Sequence, residues 1–274
     1  HLYDVVDNHS LHGEPILWAR DAGIPVVTTL HTPPLVPMLD AAAQVREHPH
    51  RFVAVSQATA RAWSVEGVDA FVFPNGVDTE RWTRGPGGRR WVWSGRIVPE
   101  KAPHLALEAA RIAGAEIVVA GRIGDVDYFE QEVRPRLNDR ARYVGALRQP
   151  ELCRLVGESA VALVTPMWEE PFGLVIAEAL ATGTPVAAFD IGGVSEVLAG
   201  APAAATVTPG DVVGLARVAA ELAEQGRREP LTRVWTRRAA LRDLSLARRY
   251  REVERVLAHT AQPVALRRVP AVSF

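Results

Sequence analysis

Short apolar runs alternate with helical stretches along most of the chain. Val- and Leu-rich segments predict strands at Tyr3 to Asp7, Pro25 to Leu30, Arg51 to Val55 and Ala70 to Phe73. Helical stretches fall between them: Glu14 to Ala22, Val36 to Glu47 and Thr59 to Trp63. The turn Pro74-Asn75-Gly76 closes this series, and Arg84-Gly85-Pro86-Gly87-Gly88 is the best linker candidate. A second series follows, with strands at Trp91 to Ser94, Ala115 to Ala120, Arg142 to Val144, Ala160 to Val164, Pro185 to Phe189 and Ala203 to Val207. Its helices are Ala102 to Ala113, Tyr128 to Leu137, Glu151 to Gly157, Leu174 to Ala181 and Val212 to Glu224. Repeated strand–helix units predict α/β domains with parallel sheets covered on both faces. The expected division is a domain over 1–84, a second over 85–230, a helix over 231–260 and a tail over 261–274. The first series is a strand or two short of a complete sheet of this kind. It also begins at His1, not Met, so a chain missing the start of its N-terminal domain is expected.

Ligands on such sheets bind at the carboxyl ends of strands. The richest stretch of that kind is Glu169-Glu170-Pro171-Phe172-Gly173-Leu174-Val175-Ile176-Ala177-Glu178, after the apolar run Ala160 to Val164. It reads as strand, tight loop and helix N-terminus, where backbone N–H groups and the positive dipole end suit phosphate. Glu170 in the loop and Glu178 one turn into the helix are unfavourable near an anion unless they accept hydrogen bonds, as from sugar or ribose hydroxyls. The plainer reading makes Glu170 a helix cap and Glu178 a solvated side chain.

Composition changes the picture at one point. Among the 31 basic residues, Lys101 is the single lysine. A compact ammonium on a flexible stem does what a guanidinium fork does not, although drift toward arginine gives the same count. Lys101 shares the loop Gly95 to Lys101 with Arg96. Together they suit a diphosphate, the arginine forking two oxygens and the lysine supplying a mobile charge, without a metal. The net charge of −1 argues against nucleic acid as the main partner. One cysteine, Cys153, excludes an intramolecular disulfide. No apolar run approaches a membrane span and no signal peptide is visible, so a cytoplasmic protein is expected. In the Arg-rich tail, Leu246, Tyr250, Val253 and Leu257 form an apolar stripe to bury. The arginines beside it read as a solvated face, with peripheral contact to an acidic membrane surface as the alternative. His9 and His12 lack a third ligand, so no metal site is expected.

The segments "VVTTLHTPP", "FVAVSQATA", "FPNGVDTERW", "SGRIVPEKAPHLALEAA", "VVAGRIGDVDYFEQEVRPRL", "YVGALRQPEL" and "ALVTPMWEEPFGLVIAEALATGTPVAAFDIGGVSEVL" run in order through most of the chain, with "LARRYREVERVL" near its end. In these the chain resembles a family 4 glycosyltransferase of the GT-B fold. The resemblance implies two Rossmann-like domains facing a cleft, and transfer of a sugar from a nucleoside-diphosphate sugar, with retention and without a metal or other cofactor. Glu170 and Glu178 match the family's Glu-x7-Glu motif, holding donor-sugar and ribose hydroxyls respectively. Arg96 and Lys101 match the diphosphate pair. Phe172, Gly173 and Leu174 would offer backbone N–H groups, and Gly145, Ala146 and Leu147 would lie against the base. Gly95 and Gly121, at two strand ends, fall on the same donor side. His31 matches a histidine of the N-terminal domain near the reacting sugar. The resemblance favours a front-face displacement in which the leaving phosphate helps deprotonate a small-molecule or lipid-linked acceptor. The stretch "GGVSEVLAGAPAAATV" departs from the family wording, with Ser195 where Pro is usual. A nucleotide-sugar-binding fragment without catalysis is the alternative. A Rossmann oxidoreductase would need a G-x-G-x-x-G fingerprint after a strand, and none is found.

Overall fold

A computed structural model describes residues 3–46 and 49–261. The chain divides into two compact units. One is built from the chain up to Pro74 together with the chain from Ala247, and the other is Asn75–Leu246.

The first unit holds β1 (Val6–Asn8), α1 (Glu14–Asp21), β2 (Val26–Leu30), α2 (Val36–Ala43), β3 (His50–Ala54), α3 (Gln57–Val65) and β4 (Ala70–Val72). The four strands are parallel in the order β1-β2-β3-β4. Val26, Val27 and Leu30 of β2 are buried, which is why this run reads as continuously apolar. Leu30, Met38, Ala42, Trp63 and Val68 form one part of the core, while Ile16, Ala41 and Val45 form another. Ser56 caps α3 by accepting from the Thr59 N–H at 3.0 Å. Helix α2 stops at Ala43, short of the expected limit at Glu47, which lies outside the described residues.

The second unit holds β5 (Trp91–Ser94), α4 (Pro103–Ile112), β6 (Ile117–Ala120), the short α5 (Val126–Tyr128), β7 (Ala141–Tyr143), α6 (Gln149–Gly157) and β8 (Val161–Val164). After these come α7 (Leu174–Ala181), β9 (Val186–Phe189), α8 (Val194–Leu198), β10 (Ala204–Val207), α9 (Val212–Arg228) and α10 (Thr232–Asp243). Its six strands are all parallel in the order β10-β9-β8-β5-β6-β7. The chain winds outward from β5 to β7, then returns so that β8 lies on the other side of β5. Trp91, Trp93, Ile117, Leu163, Phe189 and Leu215 are buried in one core across this sheet. The single helix expected over Tyr128 to Leu137 is instead α5, a wide turn at Phe129–Val133 and a tight one at Arg134–Arg136. Pro135 has no N–H to continue a regular ladder.

The Gly-rich stretch taken for a linker belongs inside this unit. Gly85 N–H donates to the Thr182 carbonyl at 3.0 Å and Gly87 N–H to that of Gly157 at 2.9 Å. A Cβ on Gly85 would lie 2.2 Å from the Gly157 oxygen, so the glycine permits a close backbone crossing. Arg233 of α10, only 5% exposed, closes the assembly. It donates to the Gly157 carbonyl at 2.8 Å, the Ser159 carbonyl at 3.1 Å and the Thr184 hydroxyl at 2.9 Å. Burial, with a smaller push from Arg84, lowers its pKa to about 10, so it stays charged at neutral pH. The tail expected as one helix is two: α10, in the second unit, and α11 (Leu246–Ala261), which from Ala247 on belongs to the first. Tyr250 of the expected apolar stripe is exposed, while Leu246, Val253 and Leu257 are half-buried. Arg248 and Arg249 pair with Glu252. Among the described residues no helix is long and apolar enough to cross a membrane. The expected tail over 261–274 lies outside the described residues except for Ala261.

Arg233→Ala is expected to leave several buried carbonyls short of donors and to cost roughly 2–4 kcal/mol. Urea unfolding followed by circular dichroism measures this, and a midpoint equal to that of the parent chain would refute it.

Candidate functional site

The order of the second sheet reverses between β5 and β8, the kind of place where open α/β sheets bind ligands. The loops leaving these two strands carry Lys101 and Glu170. After β5, Pro99–Lys101 form one tight helical turn, and Ala102 takes a left-handed conformation with φ of 44°. That conformation is costly for a residue with a Cβ and needs support. Thr165, after β8, gives it. Its hydroxyl lies 3.0 Å from the Lys101 carbonyl and 2.9 Å from that of Ala102, and it accepts from the Trp93 indole N–H at 3.0 Å. Met167 N–H donates to the Glu100 carbonyl at 2.8 Å. The two loops are therefore clasped by their backbones before any charged group acts.

Within that clasp Lys101 Nζ forms an ion pair with Glu170 Oε2. Glu170 is 7% exposed, so the pair works where water screens it little. The Trp168 indole N–H donates to the same carboxylate oxygen at 3.0 Å, and the Lys101 ammonium stands 4.7 Å from the Trp168 ring centroid. Trp168 is the member that sequence reasoning missed; its signal was an aromatic residue two positions before the key carboxylate. A third loop, after β9, holds the Glu170 backbone: Gly193 N–H donates to the Glu170 carbonyl at 2.7 Å. Gly192 lies so close that a Cβ would meet that oxygen at 2.3 Å.

Glu170 does not cap α7. The capping position is Gly173, left-handed with φ of 84°, and no side chain caps this helix. The start of α7 thus keeps the donor-rich end that suits an anion. Phe172 is buried, while Leu174, the first helical residue, is exposed. Glu178, one turn in, is half-buried and not solvated. Burial raises its carboxyl pKa to about 7.

Gly95, Gly121 and Gly145 end β5, β6 and β7 and are joined in series. Gly95 N–H donates to the Ala120 carbonyl at 3.0 Å, and Gly121 N–H to that of Gly145 at 2.8 Å. A Cβ on Gly121 would lie 1.7 Å from the Gly95 oxygen, so this strand end requires glycine. Ala146 is exposed and Leu147 half-buried in the loop after β7. Arg96 is exposed and paired with Glu100 at 3.0 Å. His31 lies in the other unit, just after β2. Its Nε2 is 2.8 Å from His9 Nδ1, and His9 Nε2 is 3.2 Å from Asp7 Oδ2. His9 therefore pairs with His31.

Two Rossmann-like parallel sheets give the chain the fold of the GT-B class. The chain belongs to the group 1 glycosyl transferases, whose family model matches residues 80–241. The model described as Glycosyltransferase Family 4 matches residues 1–81. The glycogen synthase of Mycobacterium tuberculosis is 36% identical over 156 residues, covering 53% of this chain and 37% of that relative. The D-inositol 3-phosphate glycosyltransferase of Mycolicibacterium smegmatis is 30% identical over 267 residues, covering 83% of this chain and 61% of that relative. The chain thus spans less than two thirds of either relative. The crystal structure of Anabaena HepE in complex with UDP matches the fold with a TM-score of 0.82 at 20% identity, covering 94% of this chain and 79% of that one.

Glu178 makes stability depend on pH. Its folded pKa of about 7 lies above the ordinary 4.5, so between these values the folded chain keeps a proton the unfolded chain has lost. Stability is expected to fall as pH rises through that window and to level off above it. Glu178→Gln should remove this part of the fall; urea midpoints at about pH 5 and pH 8 measure it, and an unchanged difference would disprove it.

Proposed function

We propose that the chain transfers a sugar from a nucleoside-diphosphate sugar to an acceptor hydroxyl, with retention and without a metal. The observation that carries this reading is the Lys101–Glu170 pair at the switch point, on the loop that leads into the uncapped start of α7. Family membership supports the reaction class. The HepE structure holds UDP, so UDP is the first nucleotide to test.

The pair gives the donor two complementary handles. The diphosphate, with about two to three negative charges, takes the Lys101 ammonium, the Arg96 guanidinium and the N–H groups of Gly173 and Leu174. The sugar hydroxyls donate to Glu170. The donor thus replaces each member of the ion pair with a partner of the same polarity, and neither buried charge is left bare. Glu178 accepts the ribose hydroxyls. Hydroxyl donors favour its ionised form, so binding near neutral pH releases a proton. Gly95, Gly121, Gly145, Ala146, Leu147 and Phe172 shape the base and phosphate surfaces. As the glycosidic bond breaks, negative charge grows on the leaving diphosphate. Lys101 and Arg96 stabilise that charge. His31 offers a hydrogen bond to a sugar hydroxyl. The acceptor is a small or lipid-linked molecule.

Calorimetric titration of UDP, GDP and ADP tests the donor site. One nucleotide is expected to bind, and Lys101→Ala to weaken it by about 2 kcal/mol, roughly thirtyfold. Glu170→Gln should keep the nucleotide but lose transfer, followed as nucleotide release. Wild-type affinity in Lys101→Ala, or turnover by Glu170→Gln, would reject the assignment.

A further inference from the structure

The loops that carry Lys101 and Glu170 leave the carboxyl ends of the six-stranded sheet. The opposite ends of the same sheet carry a different cluster. Where β6 starts at Ile117 and β7 at Ala141, an open cleft of about 400 Å³ lies against the last turns of α4. That volume suits a small ligand. Buried Leu107, Ala110 and Ile117 form its floor. Its charged groups are Arg111 and Glu108 of α4, Arg136 of the tight turn and Arg140 just before β7. Three guanidiniums thus line the cleft beside one carboxylate.

The backbone brings these groups together. Asn138 N–H donates to the Ala141 carbonyl at 2.9 Å and Ala141 N–H to that of Asn138 at 3.1 Å, which closes a turn around Arg140. The Arg140 carbonyl accepts from the Ile117 N–H at 2.8 Å, so the turn is fixed to β6. Arg140 Nη2 donates to the carbonyl of Gly114, which leaves α4 in a left-handed conformation with φ of 63°. Arg111 forks Glu108 through Nε at 2.8 Å and Nη2 at 2.6 Å. Arg136 Nη1 donates to the Glu132 carbonyl at 2.5 Å, and the Glu132 carboxylate stands 3.1 Å from the same nitrogen. A guanidinium carries five N–H donors. Each of the three therefore keeps donors that meet no acceptor among the described residues. Glu108 senses two of them: Arg111 holds its carboxyl below the ordinary carboxylate range, and Arg136 pulls the same way.

A carboxylate fills a single fork, as Glu108 does with Arg111. A phosphate monoester carries about two negative charges and three terminal oxygens. It can engage guanidiniums from separate segments at once. We propose that this cleft binds a small phosphate monoester. Arg111, Arg136 and Arg140 hold its phosphoryl group, and its body lies on the floor of Leu107, Ala110 and Ile117. Glu108 competes for Arg111 and yields it as the phosphate enters. The cleft lies wholly within the second unit and apart from the donor loops, so this site does not depend on the function proposed above.

Calorimetric titration with phenyl phosphate and with inorganic phosphate tests the site. Phenyl phosphate is expected to bind with a Kd of about 1 mM or below, and no saturation by about 10 mM would overturn the proposal. The ester should bind more tightly than inorganic phosphate; the reverse order would overturn the assignment to an ester. Arg140→Gln should weaken binding about tenfold or more, and Glu108→Gln should tighten it about threefold or more. The second variant separates a site from a merely structural role, because losing an ion pair that only supports the fold gives no reason for tighter binding. Parent affinity in both variants would overturn the proposal. Lys101→Ala should leave the affinity unchanged. Loss of binding in Lys101→Ala, with parent affinity in Arg140→Gln, would put the phosphate at the donor loops and overturn the cleft.

Discussion

A carboxylate that is 7% exposed must be held by a cation or pay several kcal/mol in lost hydration. Glu170 meets that constraint through Lys101, and the surrounding loops follow from it. The backbone turns left-handed at Ala102, directly after Lys101, and Thr165 ties the Ala102 carbonyl to the end of β8. Glu170 in turn stays put because the β9 loop accepts no Cβ at Gly192 and donates an N–H from Gly193. Three strand ends are thus fixed around one charge pair, leaving the start of α7 without a side-chain cap. The same rule, with the sign reversed, organises Arg233: its guanidinium is buried against neutral carbonyl dipoles that join the Gly-rich stretch, α6 and the turn after α7.

Much of this was legible from local pattern. Buried parallel strands such as Val161–Val164 and Val186–Phe189 are continuous apolar runs, and nothing in the tertiary structure competes with that signal. Glu170 stood out because it sits in a short loop between a strand and a helix, and Lys101 because it is the single lysine and shares such a loop with Arg96. Trp168 was missed for a physical reason. An aromatic residue in a loop has no periodic partner to mark it, and its role exists only once Lys101 arrives from 67 positions upstream, after β5 (168 − 101 = 67). The partnership of His9 and His31 is hidden in the same way, because it depends on β1 and β2 lying side by side.

The glycines show why a composition rule and a packing rule part company. Gly85, Gly87 and Gly88 lack any hydrophobic pattern, which marks a linker, yet they lie against α6, where a side chain would collide with the backbone of Gly157 or Glu158 or press on Arg233. A glycine that frees a chain and a glycine that lets two backbones touch look alike in one sequence. Here the partners that distinguish them, Gly157 and Arg233, lie roughly 70 and 150 residues further on.

The single lysine finds its reason in the same geometry. A guanidinium at position 101 would tend to fork across both oxygens of Glu170 and lock the carboxylate face to face. The ammonium engages Oε2 alone, as does the Trp168 N–H. Oε1 is therefore outside the ion pair. In the proposed reaction the round ammonium turns from carboxylate to phosphate and keeps the face of Trp168 beneath it, because attraction to an aromatic ring constrains direction less than a bidentate fork does. Where arginine meets every other need for a cation in the chain, the proposed reaction gives position 101 a use for a charge that changes partners without moving its base.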